Sequence, residues 1–268
     1  MRYLKLDAVE LEYFYGGSVY SLKGNGRIDL EGKEGIKELG GELSSNNLKV
    51  SSFLMHNNFA DEDMKNQIDW IIRCVDIAEY FNTSSIRIDP IIQTEREVSV
   101  TEAAEMSIKA LKGVFGEIQK GKKVYLAIEN HGDYGNNPEF LRRVINEVGN
   151  EQLGLCLDSG NFYWYGFPID EVYKIFEEFA PLVRHTHIKN IKYPVEIRGK
   201  RREIGYKYAE YVSPIYEGDI DHSRFIKILK EVGYNGDICM EDESLARYSR
   251  EDALLVAKRD VSYLKGLV

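Results

Sequence analysis

The chain has 268 residues, 43% hydrophobic and 29% charged, with a net charge of -9 at pH 7. That length suits one large globular domain with a sizeable core, far from disordered compositions. The acidic balance excludes a general phosphate-binding surface, so no nucleic-acid partner is expected, and no apolar run is long enough to span a membrane.

AVELEYF (8–14) is the first strand-like run, ending in YFYGG (13–17), where Gly16 and Gly17 suit a flexible loop. LKVSSFLMHN (48–57) follows and closes on His56. Residues 63–81 then read as a helix, with Ile68, Ile71, Ile72, Val75 and Ala78 at helical spacing on one face. SSIRIDP (84–90) is the third strand run, with Asp89 before Pro90 marking its end. KVYLAIEN (123–130) precedes a helix over 137–149, where Asn137 caps, Pro138 suits the first turn and Gly149 the stop. QLGLCLDSGN (152–161) and LVRHTHIKN (182–190) are further strands. A long connection, 191–218, carries RGKRR (198–202) and leads into a helix over 221–236 and a last strand, GDICMEDES (236–244).

Strand followed by helix, repeated, predicts an α/β fold: a (β/α)8 TIM barrel formed by residues 1–268 as a single domain. Seven strand runs are countable where eight are needed. Either the first β/α unit is lacking or altered, or a partner or another segment closes the gap. The N-terminus lacks the apolar stretch of a signal peptide. Three cysteines, Cys74, Cys156 and Cys239, have no CxxC spacing and an odd total, and read as reduced packing residues. Both features predict a cytoplasmic protein.

Residues two apart on a strand share a face. Glu129 therefore shares its side with Ala127 and Tyr125, Asp158 with Cys156, His187 with His185, and Glu241 with Cys239. The opposite side is apolar: Ile128, Leu155, Leu157, Ile188, Ile238 and Met240. In a barrel the apolar side faces the helices, so Glu129, Asp158, His187 and Glu241 point inward, at the end of the barrel where active sites form. Three carboxylates directed at one another need a compensating cation or protons, and with a histidine they make an O/N ligand set suited to one divalent ion. Local ion pairing, for instance Glu129 with Lys189, is the alternative for any one of them.

The runs AIENHG (127–132), LCLDSGN (155–161), HTHIKN (185–190) and GDICMED (236–242) resemble the metal-binding strands of the xylose isomerase-like barrel superfamily, from about residue 8 to the end of the chain. The resemblance implies that Glu129, Asp158, His187 and Glu241 ligate one divalent metal ion (Mn, Mg, Co or Zn). It also implies that Glu129 and Glu241 serve as acid and base. The activity it implies is a metal-dependent sugar or sugar-phosphate isomerase or epimerase, acting by proton transfer beside a chelated carbonyl. A dehydratase of the inosose or 3-dehydroshikimate type, or a catalytically idle relative that binds sugar or metal, are the alternatives. Asn161 stands where many relatives have a histidine. With five histidines and an acidic balance, the chain lacks the makings of the multinuclear zinc site of endonuclease IV.

Five residues are expected on the substrate side: His131 two beyond Glu129, Asn161, Lys189, His56 at its strand end, and Arg198 as an anion-holding fork. Lys189 alternates outward unless its strand has already ended; if it has, it supports Glu129 or Asp158. His185 is expected to support the site from one layer below. FYWY (162–165) reads as a mixture of pocket lid and subunit interface, which makes a homo-oligomer the expected assembly around a small-molecule sugar substrate.

Overall fold

Parallel strands alternate with helices from residue 8 onward in the computed structural model, which describes residues 4–24, 26–60, 63–92, 94, 97–118 and 121–268. The strands are β1 (Ala8–Glu12), β2 (Lys49–Leu54), β3 (Ser85–Ile88), β4 (Tyr125–Glu129), β5 (Leu153–Asp158), β6 (Val183–Ile188) and β7 (Cys239–Met240). β1 to β4 pair in parallel in chain order, and so do β5 to β7. The main helices are α1 (Lys33–Asn46), α2 (Met64–Tyr80), α3 (Val100–Glu117), α4 (Pro138–Val148), α5 (Ile169–Phe179), α6 (His222–Glu231) and α7 (Arg250–Lys265). Every predicted strand is present, and there are seven such parallel strands among the described residues rather than eight. The opening unit is altered: an antiparallel hairpin, Ser18–Tyr20 with Arg27–Asp29, is inserted between β1 and α1.

The chain divides into two compact units, one of Met1–Glu129 with Asn137–Gly154 and the other of Asn130–Asn136 with Leu155–Val268. In the first unit β1 to β4 carry the core residues Phe53, Ile86, Ile88, Leu126 and Ile128, all fully buried. Helix α2 starts where Asp63 accepts from the Asn66 N–H, so its first turn is capped by a side chain. Its buried face is Trp70, Ile71, Cys74, Val75, Ile77 and Ala78. That face is rotated from the predicted one: Ile68 and Ile72 are half-buried, because Trp70 anchors the helix by donating its Nε1–H to the Phe14 carbonyl at 3.0 Å. Helix α4 follows its expected punctuation. Asn137 Oδ1 accepts from Glu139 N at 2.9 Å, and Gly149 ends the helix at φ 61°.

In the second unit β5 and β6 pair in parallel with Asp158 opposite His187, and β6 and β7 with His187 opposite Cys239. The long connection is more ordered than a solvated basic loop. Asn190–Ile191 pairs antiparallel with Val212–Ser213, and short helices form at Val195–Arg198 and Tyr208–Tyr211. The Arg202 guanidinium lies 4.4 Å from the Tyr163 ring and 4.5 Å from the Tyr193 ring, and donates to the Tyr163 and Phe167 carbonyls at 2.9 and 2.8 Å. The chain passes so close that a Cβ on Gly166 would sit 2.2 Å from the Arg202 carbonyl oxygen. Half of the predicted aromatic lid belongs to the core. Phe162 and Tyr163 are fully buried, Phe162 against Phe167, Phe176 and Phe179. Aromatic rings that bury this much area are held by packing rather than by a ligand.

Candidate metal centre

Three of the four predicted ligands lie in the second unit, at the carboxyl ends of β5, β6 and β7. Asp158 ends β5, His187 is next to last in β6, and Glu241 follows β7. Parallel register sets Asp158 beside His187, and Glu241 follows two residues after Cys239, the β7 partner of His187; one ligand atom each of Asp158, His187 and Glu241 lies within 4.8 Å of the others. Asp158 and His187 are fully buried, while the Glu241 side chain is about a third exposed. His187 Nδ1 stands 3.3 Å from Glu241 Oε2.

The backbone around Asp158 is built to hold its carboxylate. Oδ1 accepts from the N–H groups of Gly160 and Asn161 at 2.8 and 2.7 Å. Asn130 clamps the Asp158 backbone from both sides, accepting from its N–H at 2.7 Å and donating to its carbonyl at 3.1 Å. Sequence reasoning missed Asn130. Its signal was a second polar residue directly after Glu129 at a strand end, where an amide can satisfy both backbone groups of a neighbour.

β6 ends at Ile188, so the outward parity of Lys189 no longer applies, and its side chain turns into the acidic cluster. Lys189 Nζ lies 3.4 Å from Asp158 Oδ2, 2.9 Å from Glu241 Oε2 and 2.5 Å from Glu243 Oε1. Glu243 in turn accepts from the Tyr208 hydroxyl at 2.8 Å. Tyr208 also went unnoticed, since contacts from a long connection leave no periodic trace, and Glu243 was passed over although it shares the parity of Glu241. The lysine stem passes where Gly160 has no side chain; a Cβ there would meet Lys189 Cγ at 2.5 Å. Behind the lysine, Ser159 Oγ donates to the Lys189 carbonyl at 2.9 Å, and His222 Nε2 faces the same carbonyl at 3.3 Å. That carbonyl only accepts, so Nε2 carries the proton. Burial pushes the His222 imidazole down to about 4, which keeps it neutral.

Glu129 lies in the first unit, where it is buried at the end of β4. Its ion-pair partner there is Arg87 of β3, whose guanidinium also reaches Asp89 Oδ2 at 2.5 Å and donates to the Met55 carbonyl at 2.9 Å. An arginine inside the otherwise apolar SIRI strand was the overlooked signal. Asn57 holds Asp89 by a backbone pair, and His56 Nδ1 lies 3.4 Å from Asp89 Oδ2 with its ring half exposed. Asp89 is thus a buried anchor for Arg87 and Asn57.

Among the other expected substrate contacts, Asn161 is buried at the start of the 161–164 turn, beside Asp158. His131 is half-buried just before the Gly132–Gly135 turn. Arg198 is committed inside its own connection, pairing with Asp219 at 3.0 Å and donating to the Tyr193 carbonyl at 2.8 Å. Burial raises the Asp219 carboxyl above its ordinary range, while hydrogen bonds from Tyr193 and Tyr163 and the charge of Arg198 pull it back. His185 Nδ1 pairs with the Asp237 carboxylate at 2.8 and 2.9 Å, one layer below His187.

The family model for the xylose isomerase-like TIM barrel matches residues 4–265. The chain belongs to that family. Inosose dehydratase from Serratia proteamaculans is 26% identical over 132 residues, a stretch covering 47% of this chain and 44% of that one, so the match spans under half of the curated relative. A xylose isomerase-like TIM barrel protein from Mycobacterium smegmatis, solved in complex with magnesium, superposes with a TM-score of 0.73 at 18% identity, covering 99% of this chain and 85% of that one. A D-allulose 3-epimerase from Methylomonas sp. superposes with a TM-score of 0.69 at 14% identity, covering 100% and 89%. At these identities the superpositions establish a shared fold. No helix among the described residues of this family member is long and apolar enough to cross a membrane.

Two carboxylates and an imidazole converging within 4.8 Å form a donor set that fits a divalent ion, with coordination positions left over. The Lys189 ammonium against the same carboxylates marks the cluster as one that demands positive charge.

Proposed function

We propose that this protein is a divalent-metal-dependent isomerase or epimerase of a sugar or sugar-derived ketose. In this proposal Glu129 joins Asp158, His187 and Glu241 around one ion of Mn, Mg, Co or Zn. The observation that carries the proposal is the convergence of Asp158, His187 and Glu241 at the carboxyl ends of three adjacent parallel strands. Strand parity and the family resemblance support Glu129 as the fourth ligand.

When bound, the ion supplies Lewis acidity beside a chelated carbonyl. The remaining work falls to side chains. Glu129, anchored by Arg87, and Glu241 are the two carboxylates able to take a proton from the carbon next to the carbonyl and return it. Return to the opposite face of the same carbon inverts it; return to the neighbouring carbon isomerises. Lys189, tethered by Glu243, offers an ammonium donor to a substrate oxygen, and Asn161 and His131 are the groups proposed to sort hydroxyls.

Dehydration is the second reading, favoured by the name of the Serratia relative. It uses the same proton abstraction followed by loss of a β-hydroxyl. Metal-loaded protein incubated in heavy water with ketoses, ketose phosphates and inososes separates the two. Deuterium incorporated at one carbon, and lost in both E129Q and E241Q, supports the isomerase or epimerase. A new ultraviolet chromophore from inosose or 3-dehydroshikimate establishes the dehydratase. Neither signal across the panel leaves a binding protein and overturns both enzymatic readings.

A further inference from the structure

Beside the Asp158–Glu241 pair, and reaching one layer deeper at His185, a different set of donors comes together. His185 and His187 are two apart on β6 and share its inward face, their ring centroids 5.2 Å apart. Cys239 stands opposite His187 in the β6–β7 ladder, and parallel neighbours in register present their side chains to the same side of the sheet. One ligand atom from each of His185, His187 and Cys239 lies within 4.8 Å of the others. Both imidazoles are fully buried, a costly position for polar rings unless something there rewards their polarity.

We propose that His185, His187 and Cys239 form a second metal site, selective for zinc. Two nitrogens and a thiolate match a three-residue protein ligand set for zinc. The thiolate sets its preference against magnesium and manganese, whereas the oxygen-rich set favours them. Asp237 accepts from His185 Nδ1, the carboxylate–imidazole pairing that orients a metal-binding histidine through its other nitrogen. A tetrahedral zinc ion spaces its ligand atoms roughly 3.3–3.6 Å apart, so closure from the present spacing takes about 1 Å of side-chain movement. His187 belongs to both sets, so it divides an oxygen-rich site toward Asp158 and Glu241 from a sulfur-containing site toward His185 and Cys239.

Cobalt reports on such a site, because a thiolate bound to Co2+ gives a near-ultraviolet charge-transfer band that oxygen and nitrogen ligands do not. The metal-stripped full chain is titrated with Co2+ and then with Zn2+, and Mn2+ binding is followed separately by electron paramagnetic resonance. The expected result is a charge-transfer band that zinc erases, absent in C239S and weakened at least tenfold in affinity in H185Q, while D158N keeps it. Mn2+ binding is retained in C239S and lost in D158N, so failure of the oxygen-rich site and failure of the sulfur-containing one are told apart. Cobalt binding without the band, a band that persists in C239S, or no cobalt binding by folded wild-type protein overturns the proposal. H185Q serves as the second variant should C239S fold poorly by circular dichroism.

Discussion

Replacing Lys189 by methionine tests whether the ammonium stands in for a divalent ion. Its Nζ lies 2.9 Å from Glu241 and 3.4 Å from Asp158. At an effective dielectric of about 20 these contacts are worth roughly 6 and 5 kcal/mol of gross attraction, most of it offset by desolvation. Removing one partner of a buried ionic cluster typically costs about 3–5 kcal/mol, because the other charges are left uncompensated. An ion binding to Asp158 and Glu241 restores that compensation. K189M should therefore melt earlier than wild type without metal and bind Mn2+ about a hundredfold more tightly, which corresponds to roughly 3 kcal/mol. Isothermal titration of the metal-stripped chain, paired with melts with and without Mn2+, reads both effects. Unchanged affinity together with an unchanged melting temperature would refute the idea that lysine and metal compete for the same carboxylates.

Arg87 holds Glu129 and Asp89 together inside the first unit, so R87M should lower stability by about 3–5 kcal/mol in chemical denaturation, and R87K should recover only part of it because an ammonium cannot fork to both carboxylates. His222 is held neutral with its value lowered from 6.5 to about 4. The unfolded chain therefore binds the extra proton first: stability is full above pH 6.5 and falls by about 3 kcal/mol as pH drops toward 4. Urea titrations across that window should show the slope in wild type and a flatter line in H222Q. Burial, then the neighbouring Asp242 carboxyl, pushes Asp260 up to about 8. Its raised value means that its contribution is full below 3.8 and lost as pH rises through 8, so D260N should stabilise the protein more at pH 9 than at pH 5, and equal gains at both would contradict the buried pair.

What was legible in the sequence was what local chemistry decides. The Asn137 cap, the Gly149 stop and the period-two alternation that sets His187 apart from Ile188 need no distant partner, and they appear where expected. What was not legible depends on partners far along the chain. Arg87 looks misplaced in a buried strand until Glu129, 42 residues later, is beside it. The helix over 64–80 turned its face because a tryptophan found the Phe14 carbonyl, 56 residues away. Phe162 and Tyr163 looked like a lid because hydropathy alone does not separate an aromatic ring over a pocket from one under a helix. Lys189 could be placed only once the end of β6 was known, since one residue of extra strand would have sent it outward.

Anomalous diffraction from a Mn2+-loaded crystal shows whether the four residues share one ion. One manganese peak is expected, bound by Asp158, His187 and Glu241, with Glu129 as the fourth protein ligand and Lys189 withdrawn to Glu243. A manganese ion bound elsewhere, one coordinated without Glu129, or no peak with Lys189 still against Asp158 and Glu241 would contradict that expectation.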